Sequence, residues 1–110
     1  MQKLIIVTGN PETTISGNST DAAQSLEDLG ATIEYSNPAQ QTRQANYAYI
    51  SVEDADVRIG KGTISTSLGH IVDAGTSAEL ESAAEVQQFK IISAVAGAHA
   101  TLQITIEFRD

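Results

Sequence analysis

Two histidines, His70 and His99, are the only imidazoles in the 110-residue chain. A metal site of the paired-histidine kind needs two imidazoles on one strand plus a carboxylate. Neither histidine has a His, Asp or Glu at ligand-like spacing within its own element. A serine hydrolase would also need one of them as its base, and no Gly-x-Ser-x-Gly elbow surrounds any serine. Asp54 and Asp56 could share a side of an extended turn, but calcium needs six or more oxygens and no EF-hand spacing is present. Glu79 and Glu81 form an i, i+2 pair of the sort found on a wet strand face. Gly60-Lys61-Gly62-Thr63 lacks both the first glycine and the following helix of a phosphate loop, and reads as a lysine in a glycine-flanked turn. Asn18-Ser19-Thr20 matches a glycosylation acceptor, a pattern common by chance. No catalytic, cofactor-binding or metal-binding set emerges, and no cofactor is expected.

Composition narrows the field further. There is no cysteine, so disulfide scaffolds, thiolate metal sites and cysteine catalysis are excluded. Fourteen acidic against six basic side chains give a net charge of −8, the wrong sign for a polybasic nucleic-acid binder. The longest aliphatic run, Leu4-Ile5-Ile6-Val7, is far short of the ~20 residues of a helical membrane span. Neither nucleic acid nor membrane is an expected partner. With 41% apolar residues the chain can bury a core without metal or disulfide, and its length suits a single domain over residues 1–110.

The elements that would position any site read as short strands joined by turns. Leu102, Ile104, Ile106 and Phe108 alternate with Thr101, Gln103, Thr105 and Glu107, the period of a strand with one dry and one wet face. Lys3–Thr8 reads as a strand apolar on both faces, ended by Gly9-Asn10-Pro11. Ala48–Val52 and Val57–Ile59 read as strands joined across the acidic turn Glu53–Asp56, which predicts a hairpin over residues 47–60. Residues 20–30 carry a capping pattern (Asp21, Gln24), one apolar face (Ala22, Leu26, Leu29) and a terminal Gly30, which predicts a short helix. Over residues 76–96 the pattern fits one long helix or two strands. The stretch Phe89–Val95 favours strands, the second pairing with 101–108 across a turn at Ala96–His99. The sum is an all-β domain, a β-sandwich or jelly roll, with one short helix near residues 20–30.

Binding surfaces are then the remaining way to act. Tyr47 and Tyr49 lie on the strand face opposite Ile50 and Val52 and could form a small aromatic contact surface, for a protein or a glycan. Leu4, Ile5, Ile6 and Val7 could pair with a neighbouring sheet edge or serve as a core strand.

Residues 57–108 carry V-R-I-G-K-G-T-I-S-T-S-L-G-H-I-V-D-A-G-T-S-A-E-L and then F-K-I-I-S-A-V-A-G-A-H-A-T-L-Q-I-T-I-E-F. This layout resembles the small β-sandwich virion structural proteins of tailed bacteriophages, the capsid decoration or head-accessory class. The match covers about half of the chain and rests on packing and turn motifs, and it carries no catalytic residues. It implies a non-enzymatic structural protein located in the virion, assembled in the host cytoplasm. It would dock on capsid or other virion proteins as a homo-oligomer, a trimer being favoured. The alternative expectation is a carbohydrate- or receptor-binding sandwich of a phage fibre or tail.

Overall fold

The computed structural model describes residues 12–36 and 42–109. The expected strand Lys3–Thr8, and with it Leu4, Ile5, Ile6 and Val7, lies outside the described residues. Among the described residues nine strands and one helix follow in order: β1 Glu12–Asn18, β2 Glu34–Ser36, β3 Thr42–Gln44, β4 Tyr47–Glu53, β5 Val57–Lys61, β6 His70–Val72, β7 Ser77–Leu80, α1 Ala83–Gln88, β8 Phe89–Ser93 and β9 Thr101–Glu107. One antiparallel sheet has the order β1-β9-β4-β7, a second has β6-β5-β8, and β2 with β3 makes a small ribbon. The two larger sheets pack together as an all-β sandwich.

Strand β9 explains the arrangement. Leu102, Ile104 and Ile106 are almost completely buried, and Phe108 just beyond the strand is buried as well. Their polar alternates remain half-buried on the other face. The strand sits between β1 and β4, with Ile104 opposite Ile15 on one side and Ile50 on the other. Ala48, Ile50 and Val52 of β4 join the same core, and Val57, Phe89 and Ile91 enter it from the second sheet. Each large aliphatic side chain buried this way contributes about 1.5–3 kcal/mol.

Three expectations need correction. The 47–60 segment is not a hairpin, because β4 pairs with β9 and β7 whereas β5 pairs with β6 and β8. The chain crosses from one sheet to the other at Asp54, whose φ of 73° is left-handed. Likewise β8 and β9 do not pair with each other; they lie in different sheets, joined by the turn that Ala98 N–H closes on the Val95 carbonyl. The hairpin of the second sheet is β5–β6, with Val57 opposite Val72.

Residues 20–30 hold no α-helix. Gln24 instead bridges to Ile91, its N–H and carbonyl each bonded to that residue, and Ser93 N–H donates to the Thr20 carbonyl. This lays the segment along the edge of β8. A single helical turn follows, capped reciprocally: Asp28 N–H donates to Ser25 Oγ, and Ser25 N–H donates to the Asp28 carboxylate. Gly30 at φ 102° ends it, with Ala31 N–H bonded to Leu26 O and Gly30 N–H to Glu27 O, the expected glycine stop one turn after an unexpected start.

Residues 76–96 do form two strands, with a six-residue helix between them. Its cap is Ser82, whose Oγ accepts from Glu85 N–H, while Glu85 Oε1 accepts from Glu81 N–H. Only Val86 of the helix is fully buried.

Candidate docking faces

The outer face of the four-stranded sheet carries both tyrosines but treats them differently. Tyr47 is 8% exposed and Tyr49 40%. Tyr47 is roofed by Arg109, whose guanidinium lies 3.5 Å from the ring centroid, and its phenol donates to the Glu79 carboxylate at 2.5 Å. Arg109 is held in turn, its Nε donating to Glu107 Oε1 at 2.8 Å and its backbone N–H to Asn46 Oδ1 at 2.7 Å. The hydrogen bond to Glu79 is the main reason that the Tyr47 phenol is pushed above its ordinary pKa. Tyr49 alone is therefore open for contact. Around it lie Thr105, opposite in β9, and Glu79, opposite in β7. One strand further, Thr14 and Thr105 join hydroxyls at 3.0 Å. The expected two-tyrosine surface thus reduces to one aromatic ring on a hydroxyl-rich sheet.

The polar residues that could have done chemistry are dispersed into turns. Asp54 accepts from Thr101 Oγ1 at 2.9 Å and Asp56 from Ala74 N–H at 2.8 Å, so each braces a different connection. His99 Nε2 lies 3.3 Å from Asp21 Oδ1, an acid from a distant segment that sequence spacing could not reveal. Asp21 is held below the ordinary carboxylate range first by the Gly97 N–H that it accepts and then by His99. His70 sits on β6, opposite Ile59. Among the described residues no three His, Asp or Glu side chains gather where a metal could be held. Ser19 of the glycosylation pattern is completely buried.

A cleft of about 360 Å³ opens where the sheets part, lined by Ile59, Lys61, His70, Leu80, Glu85 and Phe89, with Gly60 at its wall. Strands β6 and β7 each form one border of their sheets among the described residues, so the cleft lies along an open side of the sandwich. Next to it, Ile71 and Leu68 are 46% and 59% exposed. Sequence reasoning missed this region because β6 is three residues long, too short for alternation to register. The loop before it, residues 62–69, is tied down by Arg58, whose Nε donates to Thr66 O at 2.9 Å and Nη1 to Gly69 O at 2.8 Å. Comparison with known proteins returns no match, whether to family models, to curated proteins or to solved structures.

Proposed function

We propose that this chain is a non-enzymatic structural protein of a bacteriophage particle. In this reading it is a capsid decoration (cement) or head-accessory protein that docks on capsid or other virion proteins as an oligomer, with a trimer favoured. The observation that carries this reading is the open flank of the sandwich. Two strands that are borders among the described residues, β6 and β7, frame an apolar cleft, and two large aliphatic side chains stand exposed beside it. Sheet borders with exposed apolar residues are surfaces that a lattice neighbour can cover. The resemblance of residues 57–108 to virion sandwiches points the same way.

The purified chain should co-sediment with particles of its phage at a saturable stoichiometry. Failure to associate with such particles at any concentration overturns the reading. A second reading rests on Tyr49, the open ring among threonine hydroxyls, as the platform of a glycan-binding module of a fibre or tail. Retention on immobilised glycans that Tyr49→Ala abolishes would favour it over the first.

A further inference from the structure

Strand β8 borders its sheet among the described residues, yet the edge it turns outward is not bare. Ile91 exchanges both backbone bonds with Gln24, each at 2.9 Å, and Ser93 N–H donates to the Thr20 carbonyl at 2.9 Å. In an antiparallel strand alternate residues bond to opposite neighbours, so Ile91 and Ser93 face residues 20–24 whereas Lys90 and Ile92 face β5. Residues 20–25 thus occupy the backbone row that a further strand would need.

The same segment offers little to a strand on its own outer side. Thr20 Oγ1 accepts from Ala22 N–H at 3.2 Å and donates to the Ala22 carbonyl at 2.9 Å. Ser25 N–H donates to the Asp28 carboxylate at 3.0 Å, and the Ser25 carbonyl accepts from Leu29 N–H. Ala22 and Ser25, on either side of the Gln24 bridge, therefore have their backbone groups bonded locally. Asp21, Glu27 and Asp28 are exposed around them and set like charges against any second copy. Covering a sheet edge and charging it are both ways to stop it from pairing.

Two contacts hold the segment. Leu26, 1% exposed, anchors one end in the core. At the other end the Asp21 carboxylate accepts Gly97 N–H at 2.9 Å and lies 3.3 Å from His99 Nε2, which ties it to the turn between β8 and β9. Asp21, Ala22 and Ala23 are all exposed, so little buried surface backs the three backbone bonds to β8. Segments of this kind open while the sheet beneath them stays closed.

We propose that residues 20–25 are an edge guard, latched by Asp21, that keeps β8 from pairing with β8 of a second copy of this chain. The strand it covers, Phe89–Ser93, carries Phe89, Ile91 and Ile92 in five residues, a composition that favours sheet pairing once the edge is bare. The guard goes beyond the docking role above, because it concerns an edge that the chain withholds, and it stands or falls whatever the chain docks on.

The test is amide exchange by NMR at low and high protein concentration, with sedimentation velocity alongside, on the unaltered chain, Asp21→Ala and Asp21→Asn. Both variants change an exposed side chain outside the core. In dilute Asp21→Ala the Ile91 and Ser93 amides should exchange about tenfold faster, while Lys90 and Ile92 keep their protection. Asp21→Asn, which retains an acceptor for Gly97 N–H, should fall between. At high concentration Asp21→Ala should associate beyond the unaltered chain, and Ile91 and Ser93 should regain protection as it does. Equal acceleration of Lys90 and Ile92 would mean that the segment does not open by itself, and unchanged exchange would mean that Asp21 is no latch. Selective opening without added association, or association that leaves Ile91 and Ser93 fast, would show that β8 needs no guard. Each of these outcomes overturns the proposal.

Discussion

Ser19 and Ser93 meet Oγ to Oγ at 2.7 Å, both completely buried, and so join the end of β1 in one sheet to the end of β8 in the other. The contact is part of a closed set. Ala100 N–H donates to Ser19 Oγ at 2.8 Å, Ser19 N–H donates to Ala100 O at 3.0 Å, and Ser93 N–H donates to Thr20 O at 2.9 Å. These bonds satisfy the backbone where three connections converge at one end of the sandwich. Buried polar groups are tolerated because they are paired, and they are costly when a partner is lost.

The two serines should therefore be unequal. Ser19→Ala strands both Ala100 N–H and Ser93 Oγ, at about 2–4 kcal/mol for two buried groups. Ser93→Ala leaves the bond from Ala100 intact and should cost about 1–2 kcal/mol. The double variant should be little worse than Ser19→Ala. Urea unfolding of the three variants measures this, and a Ser93→Ala loss equal to or above that of Ser19→Ala would refute the assignment.

The same junction shows what the sequence could and could not say. Alternation in 101–108 identified the buried face of β9 correctly, because burial of Leu102, Ile104 and Ile106 depends only on which side of the strand they occupy. It could not identify the neighbours. A strand that turns back in its own sheet and one that crosses to the opposite sheet both present their apolar face to the same core. The segments 47–60 and 88–108 were therefore legible as strand pairs and illegible as sheet crossings. The single residue that marks the first crossing, Asp54, carries a left-handed φ that its type tolerates but does not announce. Residues 20–30 failed for another reason. Asp21 looks like a helix cap, yet its carboxylate is taken by Gly97 N–H, 76 positions away, and Ser25 caps instead. The candidate docking flank was unreadable because it is built from three residues of β6, one loop and two other strands.

Tyr47 and Glu79 give a pH-dependent signature. The phenol is the donor and the carboxylate the acceptor, so the bond exists only while the phenol keeps its proton. The folded pKa is raised above the ordinary value of 10.0. A raised pKa means that this contribution to stability is fully present below pH 10 and is lost as pH rises through the folded value. Ultraviolet titration should show a phenolate component later than that of an ordinary tyrosine. Tyr47→Phe should remove the late component, and Glu79→Gln should move it earlier. An unchanged titration curve in both variants would contradict the assignment.

Arg58 sets the loop that leads into β6. Its two carbonyl partners, Thr66 O and Gly69 O, lie on the 62–69 loop, which folds back over the outer face of β5. The approach is close: a Cβ at Gly60 would meet Ile64 Cγ2 at 2.8 Å, and one at Gly69 would meet Ile59 O at 3.1 Å and Arg58 Cβ at 3.2 Å. Gly69 also has a φ of 138°, so both glycines are needed for the loop to lie down. Two charge-assisted bonds hold it there, and lysine, with a single compact charge, cannot reproduce the planar fork. Arg58→Met, which keeps the aliphatic stem, should cost about 1–3 kcal/mol in urea unfolding. Amide exchange of Ser65–Gly69 should accelerate at least tenfold, while the amides of β9 keep their protection relative to global unfolding. Arg58→Lys should fall between the two. Unaltered exchange in the loop would mean that glycine packing alone holds it, and the arginine would then have no part in presenting β6.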